Sequence, residues 1–380
     1  MALTFSRDTK LFVTVSSLVF EIPILDGFSF SQAQNIQDIT LNEAASSTGV
    51  SRRGREALVN SINPAEFSFS TYIRPFKSAG SGGSAADNAT EHHLVDDVLW
   101  SLLLNADDST FAGSDGSSAA AADQPGWAFG GAASTLTPSS NDVTLNTCTL
   151  TFLVGDQSYV ISDCVMNECT IDFDIDGIAT ANWSGFGTTI ADGSAAGTVT
   201  CNEGIFAQNN FIRNRLSQVK LTGLSSDPTT VNYSITLIGG SLTISNNITY
   251  LTPEQLGKVN TPLGHVTGTR SVTGNLNCYH NTASNGSADL LEDILEDIGT
   301  ATSAGNATNS HSLDIFIGGG SGTDPSTPGM IIRMGRVHLE IPTLTADDVM
   351  TVDIPFHALP ADLDSSDEIT AIIVEGATPA

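Results

Sequence analysis

Two long stretches of this chain follow the same order of patterns, and an internal repeat constrains a fold more tightly than any other feature of a sequence. The first stretch opens with Arg7-Asp-Thr-Lys-Leu-Phe-Val-Thr14, and an apolar strand over residues 20–25 runs into Asp26-Gly27. The second opens with Arg215-Leu-Ser-Gln-Val-Lys-Leu-Thr222, and Tyr233-Ser-Ile-Thr-Leu-Ile238 runs into Gly239-Gly240. After each glycine comes an alternating strand, Phe28-Ser-Phe-Ser31 or Ser241-Leu-Thr-Ile-Ser245, followed by an Asn-containing stretch. Long polar connections, residues 42–65 and 252–268, return into strands over 66–72 and 271–279 that end in Tyr72 and Tyr279.

Each copy then carries one acidic amphipathic helix, expected over residues 92–104 and 288–298. Leu94, Val98 and Leu102 recur at helical spacing, as do Leu291, Leu295 and Ile298. Low-complexity loops follow, residues 105–141 and the shorter 299–310, too rich in Gly, Ser and Ala to pack a core. Closing strands are expected at 149–155, 159–161 and 170–183 in the first copy, and at 313–318, 330–332, 337–341 and 350–356 in the second. The simplest reading is a mainly β protein of two tandem β-sandwich or barrel domains, each with one flanking helix. Residues 1–205 form the first, with a low-complexity insertion at about 105–146, and residues 206–380 the second.

Charge narrows the function. Lys and Arg total 14 against 42 Asp and Glu, a formal net charge of −28, while only 15% of residues are charged. Binding nucleic acid through its phosphates needs a basic face, which this balance argues against. No apolar run approaches the ~20 residues that cross a bilayer, and the start of the chain lacks the apolar core and cleavage site of a secretory signal. The expected protein is made in a cytoplasm and inserts in no membrane. Five scattered cysteines, Cys148, Cys164, Cys169, Cys201 and Cys278, make no disulfide framework or zinc spacing and are read as reduced.

Candidate chemical sites have plainer readings. Asp172-Phe-Asp174-Ile-Asp176-Gly177 has the spacing that opens a calcium-binding EF-hand loop, but its twelfth position, where a bidentate glutamate is required, is Trp183. Its alternation of acid and apolar residues is that of a half-buried strand. His92-His93 with Asp96-Asp97 are ordinary residues at a helix start. No nucleophile elbow, P-loop or dinucleotide fingerprint occurs, so no catalytic residue, cofactor or metal is expected.

One cluster of positive charge remains: Arg52, Arg53, Arg55, Arg74 and Lys77 lie close together, whereas no Lys or Arg occurs from Ser78 to Ile212. The triplet Arg52, Arg53 and Arg55 is either a solvated loop or a contact with an acidic face of another copy. Arginine forks bind carboxylates bidentately, and head-to-tail contacts of that kind propagate into filaments.

Glu21-Ile-Pro-Ile-Leu-Asp-Gly-Phe-Ser-Phe-Ser-Gln32, Ile39-Thr-Leu-Asn-Glu43, Ser51-Arg-Arg-Gly-Arg55 and Pro64-Ala-Glu-Phe-Ser-Phe-Ser-Thr-Tyr72 resemble the tail tube (major tail) proteins of long-tailed bacteriophages. So do Ser245-Asn-Asn-Ile-Thr-Tyr-Leu-Thr-Pro-Glu-Gln-Leu-Gly257 and Asn260-Thr-Pro-Leu-Gly-His-Val-Thr-Gly-Thr-Arg-Ser-Val-Thr-Gly274. The resemblance implies a β-sandwich flanked by a helix, sheets of neighbouring domains joined around a channel, and stacked rings. It also implies that a long loop, here residues 42–65, reaches the next ring. Most such proteins contribute one domain to a six-domain ring, so a duplicated chain implies a homotrimer with pseudo-sixfold symmetry.

The implied partners are further copies of the chain, tail terminator, baseplate or tip proteins and a sheath where one exists, with genomic DNA passing through on ejection without specific binding. An acidic wall would repel DNA phosphates and let the genome slide. Asp172, Asp174 and Asp176 are the candidate lumen-facing acids of the first domain, with Glu340 and Asp353 in the second. Arg52, Arg53 and Arg55 are the candidate inter-ring contact. The competing class is a tandem β-sandwich adhesin or carbohydrate-binding virion protein, which would need exposed aromatics, yet Trp100, Trp127 and Trp183 are scattered. A capsid decoration protein or a secretion-system tube protein would share much of the same physics.

Overall fold

Apolar and polar residues alternate along most strands, and burial follows: in Thr351–Ala358 every second residue is buried. The structure is a computed structural model that describes residues 5–15, 18–39, 56–77, 92–105, 133–136, 138, 144–193, 211–223, 231–252, 256–258, 261–300, 310–318, 328–346, 348–362 and 365–375. In the first stretch, β1 (Thr9–Val15), β2 (Leu18–Ile22), β3 (Ser29–Ile39), β4 (Glu56–Tyr72), β5 (Pro75–Lys77) and β6 (His92–Leu94) precede helix α1 (Asp97–Leu104). After it come β7 (Ala133–Leu136), β8 (Cys148–Val154), β9 (Gln157–Asp174), β10 (Thr180–Gly187) and β11 (Ile190–Asp192). In the second stretch, β12 (Gln218–Gly223), β13 (Asn232–Tyr233), β14 (Leu237–Ser245), β15 (Thr249–Leu251), β16 (Gly264–Val266) and β17 (Ser271–Tyr279) precede helix α2 (Ser287–Thr300). β18 (Ser310–Gly318), β19 (Pro328–Leu339), β20 (Thr343–Thr345), β21 (Thr351–Ala358) and β22 (Thr370–Glu375) close the chain.

Pairing among the described strands is antiparallel, and one order of neighbours occurs twice. In the first stretch it is β2-β1-β8-β9-β10-β4-β3, with β11 also on β9. In the second it is β13-β12-β18-β19-β21-β17-β14, with β22 also on β19. The long strand β9 serves two layers: residues 157–164 pair with β8, residues 165–171 with β10. The two stretches share a sheet, because β14 pairs with the far edge of β9 from Asp174↔Gly239 to Glu168↔Ser245. The result is one ladder, β3-β4-β10-β9-β14-β17-β21, whose last strand is flanked by the end of β19 and then β20.

A contiguous apolar core lies under this ladder. It includes Phe152, Trp183, Leu242 and Phe356 from the strands, Trp100 from α1, and Leu290 and Ile294 from α2. Trp100 and Trp183 meet edge to face, 5.2 Å between ring centroids. The Trp183 indole donates to Thr71 Oγ1 (2.9 Å), whose hydroxyl donates to Asp96 Oδ2 (2.8 Å), so the one polar atom of the buried ring is satisfied. Cross-strand glycine and aromatic pairs fill a layer in opposite senses. Gly185 on β10 faces Phe67 on β4, and Phe356 on β21 faces Gly274 on β17. A Cβ at Gly185 would lie 2.2 Å from the Val165 carbonyl oxygen and one at Gly274 2.2 Å from that of Ser241, so the backbone itself requires glycine there.

A buried ion pair of the second stretch is tied to the join through Asn246. Arg270 donates from Nη1 to Glu368 Oε1 at 2.8 Å, with side chains 4% and 9% exposed, and from Nε to Asn246 Oδ1 at 3.3 Å. Asn246 Nδ2 in turn donates to the Leu103 carbonyl at the end of α1 and to the Met166 carbonyl on β9.

Several expectations change. Strand β4 begins at Glu56, ten residues before the expected start at Glu66, so the last ten residues of the connection read as residues 42–65 are strand. The first helix starts at Asp97 rather than His92, because residues 92–94 form β6 against β5. It is buried all round, with Leu99 and Leu103 as covered as Val98 and Leu102. In α2 the buried stripe is Leu290 and Ile294, while Leu295 is half exposed, one residue out of phase with the expected face. The strands expected at 159–161 and 170–183 are the continuous β9 and then β10, separated by a turn. Within the insertion expected at 105–146, residues 133–136 are strand β7, which pairs with β22 of the second stretch. Residues 194–210, which hold the expected domain boundary and Cys201, lie outside the described residues, as do Arg52, Arg53 and Arg55. The other four cysteines are free, as expected, and the structure buries them; burial pushes the Cys164 and Cys169 thiols well up.

His311 on β18 is 4% exposed, its ring 5.9 Å from that of Tyr233, and burial lowers its pKa to about 4 against the opposing pull of Asp293. An unfolded histidine takes up a proton near pH 6.5, so this residue favours folding above that pH and the contribution is lost as pH falls from 6.5 toward 4. The loss amounts to about 3 kcal/mol at most. Urea midpoints measured at pH 7, 5.5 and 4 are expected to fall less steeply for His311→Gln than for the parent chain. Parallel profiles would refute the assignment.

Candidate functional site

One face of the β3-β4-β10-β9-β14-β17-β21 ladder buries the core, and strand alternation sends the other residues to the opposite face. On β4, Phe67 and Phe69 point inward and Glu66, Ser68 and Ser70 outward; on β9, Cys169, Ile171 and Phe173 point inward and Glu168, Thr170, Asp172 and Asp174 outward. None of these seven strands, nor β20, contains a lysine or arginine. The outer face is therefore largely Ser, Thr, Asn and carboxylate, interrupted by Tyr72, Phe186 and Tyr279, with His357 the one titratable base on it.

Side chains on this face are tied to one another across the strands. Ser29 and Ser68 hydroxyls are 2.9 Å apart; Ser70 donates to Asn182 (2.7 Å), which donates to Asp172 Oδ2 (3.3 Å). Thr170 and Thr243 hydroxyls meet at 3.2 Å across the join. Farther along, Ser241 donates to Asn275 Oδ1 (3.1 Å) and Asn275 to Asp353 Oδ1 (3.1 Å). At the far edge His357 Nε2 lies 2.6 Å from Glu340 Oε1. These short polar side chains satisfy each other, and an open recess of about 320 Å³ lies over Gly185 between Ser31, Glu66 and Ser184.

The structure brings four of the five candidate acids to this sheet. Asp172 and Asp174 are exposed on the open face, Asp353 joins the hydrogen-bonded lattice, and Glu340 sits at the edge beyond β21. Asp176 is in the turn after β9, with its side chain 90% exposed, and pairs with Arg215 at 3.0 Å. Asp172 and Asp176 thus face different partners, and no cluster of three metal-ligating side chains exists among the described residues. Glu66 and Glu168 belong to the same face and escaped the sequence reading. The alternation Glu66-Phe-Ser-Phe-Ser was enough to place the first, and Glu168 is in phase with Asp172.

Chemically the face offers acceptors and negative charge and no activated nucleophile; its Asp and His residues form no acid-base pair beyond Glu340 with His357. Its two edges differ. Strand β3 pairs only with β4 among the described residues, and β20 only with β21.

Comparison with known proteins gives a consistent assignment. The family described as phage tail tube protein matches residues 41–358, well over half of the chain. The chain is also similar to the tail tube protein pb6 of Escherichia phage T5, with 29% identity over 384 aligned positions that cover 97% of this chain and 75% of that protein.

Proposed function

This chain belongs to the phage tail tube protein family, a component of the virion tail, and on that premise we propose that three copies close into a ring and that stacked rings form the conduit through which DNA is ejected. The observation that carries this reading is the cation-free acidic face on a sheet that ends, among the described residues, in two unpaired, unlike edges. An open edge invites further pairing, and closing the sheet around a channel removes it. Each stretch supplies four strands to the shared ladder in the same order, so residues 1–205 and 206–380 act as two similar domains alternating around a pseudo-sixfold ring. Inside such a ring the acidic face lines the lumen, with Asp172, Asp174 and Asp353 toward the DNA. Asp176, in the turn beyond β9, is paired with Arg215.

Arg52, Arg53 and Arg55 contact the acidic surface of the next ring, and the partners at the tube ends are terminator and tip proteins, with a sheath in a contractile tail. A structural role without catalysis accords with the family and with the lattice of self-satisfied polar side chains. Carbohydrate recognition is less well supported, since Trp100 and Trp183 are both buried in the core. Electron microscopy of the purified protein is expected to show stacked rings with a central pore and threefold or pseudo-sixfold views. Isolated monomers at every concentration would overturn the reading.

A further inference from the structure

The join inside the chain contains the geometry of a second join between chains. Strand β14 is the second-stretch counterpart of β3, and the glycine and aromatic pairs set the alignment. Gly274 opposite Phe356 takes the place of Phe67 opposite Gly185. Leu242 is paired with Gly274, and Phe30 with Phe67, so Phe30 is the counterpart of Leu242. On the other side, Ala181 pairs with Ile171 as Val352 pairs with Leu344, so Leu344 is the counterpart of Ile171. Within the chain Leu242 sits opposite Ile171 and Thr243 opposite Thr170. The β3 edge and the 340–345 edge hold the matching residues, and among the described residues neither has a partner strand there.

We infer that the ring closes by pairing residues 29–32 of one copy antiparallel to residues 342–345 of the next, with Phe30 opposite Leu344 and Ser31 opposite Thr343. The inference rests on the tube reading above and adds the partner surface and its register.

Two further observations fit this register. Where the join is made within the chain, Asn167 holds the incoming strand. Its carbonyl accepts from the Asn246 amide and its Oδ1 from the Ile248 amide, both at 2.8 Å, and Ile248 is buried beside Leu145 and Val165. Counting along the same strands, Glu340 stands where Asn167 does and Asn35-Ile36 where Asn247-Ile248 do. In the single chain Ile36 is 61% exposed and Leu344 43%. The seam covers both, with the Glu340 carboxylate placed to accept the Ile36 amide of the neighbouring copy. This makes Glu340 a seam residue rather than a lumen acid.

Directly opposed residues in a sheet have Cβ atoms about 4.5–5.5 Å apart, so that a small backbone adjustment brings them to the roughly 3.5–4.5 Å a disulfide bridges, whereas diagonal ones at about 7–8 Å lie well beyond it. The test is Ser31→Cys with Thr343→Cys in the full chain, oxidised after assembly and run on a non-reducing gel. Covalent trimers and dimers are expected that collapse to monomer on reduction, while either single substitution, and Ser29→Cys with Thr343→Cys, stay monomeric. Tubes visible by microscopy that yield no cross-link at 31/343, or cross-link at 29/343 instead, overturn the register and leave the tube reading standing. Absence of rings from the unaltered chain defeats the tube reading itself. A second variant, Leu344→Lys on the exposed edge, is expected to keep the parent melting temperature but remain monomeric; rings formed by it would also overturn the inference.

Discussion

Arg270→Ala is expected to cost about 3–5 kcal/mol of stability, a large share of the total for a chain of ordinary stability. The reason is what is left behind. Glu368 has its side chain only 9% exposed, and removing the guanidinium strands a carboxylate in a site with little water. The same substitution takes the Nε donor from Asn246, the residue that reaches the Leu103 and Met166 carbonyls of the first stretch. Urea denaturation followed by tryptophan fluorescence should show a strongly lowered midpoint, since Trp100 and Trp183 lie in the core that the pair closes. The double variant Arg270→Met with Glu368→Leu removes both charges together and is expected to recover most of the loss. A single variant as stable as the parent would mean that the pair is solvated and contributes little.

Replacing Asp172, Asp174 and Asp353 with lysine is expected to leave ring assembly intact and to make the tubes retain DNA. These side chains lie on the open face and support no core packing. Each change adds two units, so the formal charge moves from −28 by 3 × 2 = 6 to −22, and the protein stays strongly acidic. Retention would therefore report where charge sits and not how much there is. At physiological salt, screening acts over about 8 Å, so only lysines that line the path of the DNA are felt by it. Counterion release predicts that binding weakens with salt by a log-log slope of about −0.9 for each phosphate contacted. Filter retention of DNA by assembled tubes measures this. The same number of lysines at Asp156, Asp192 and Glu292, which are exposed away from the face, should retain none. Equal retention by the two sets would remove Asp172, Asp174 and Asp353 from the lumen.

The repeat, the strand alternation and the acidic balance were all readable from the residues because each depends on neighbours along the chain. The alternation through residues 171–176 put Asp172 and Asp174 on one face without any structure. The same period continued past the end of the strand and wrongly included Asp176, since a turn at Gly177 changes direction without changing the pattern. Helix α1 shows the converse failure. Three residues at helical spacing suggested one buried stripe, but Leu99, Trp100 and Leu103 are buried as well, because strands from elsewhere cover the remaining sides. Strand β7 was read as part of a small-residue loop, yet β22 gives its backbone a partner and makes it strand. Composition predicts loops where a segment lacks its own packing and has no means to register a partner supplied from over 200 residues away.

By itself, then, the sequence determined the repeated order of elements, the mainly β character and the sign of the charge, which are local or additive properties. The tertiary structure alone decided that β9 and β14 fuse the two stretches into one sheet, that Glu66 and Glu168 join the acidic face, and that β3 and β20 end that sheet among the described residues. Those depend on which distant backbone groups complete each other's hydrogen bonds, and pairing of that kind is settled by register in space, where no periodicity along the chain can record it.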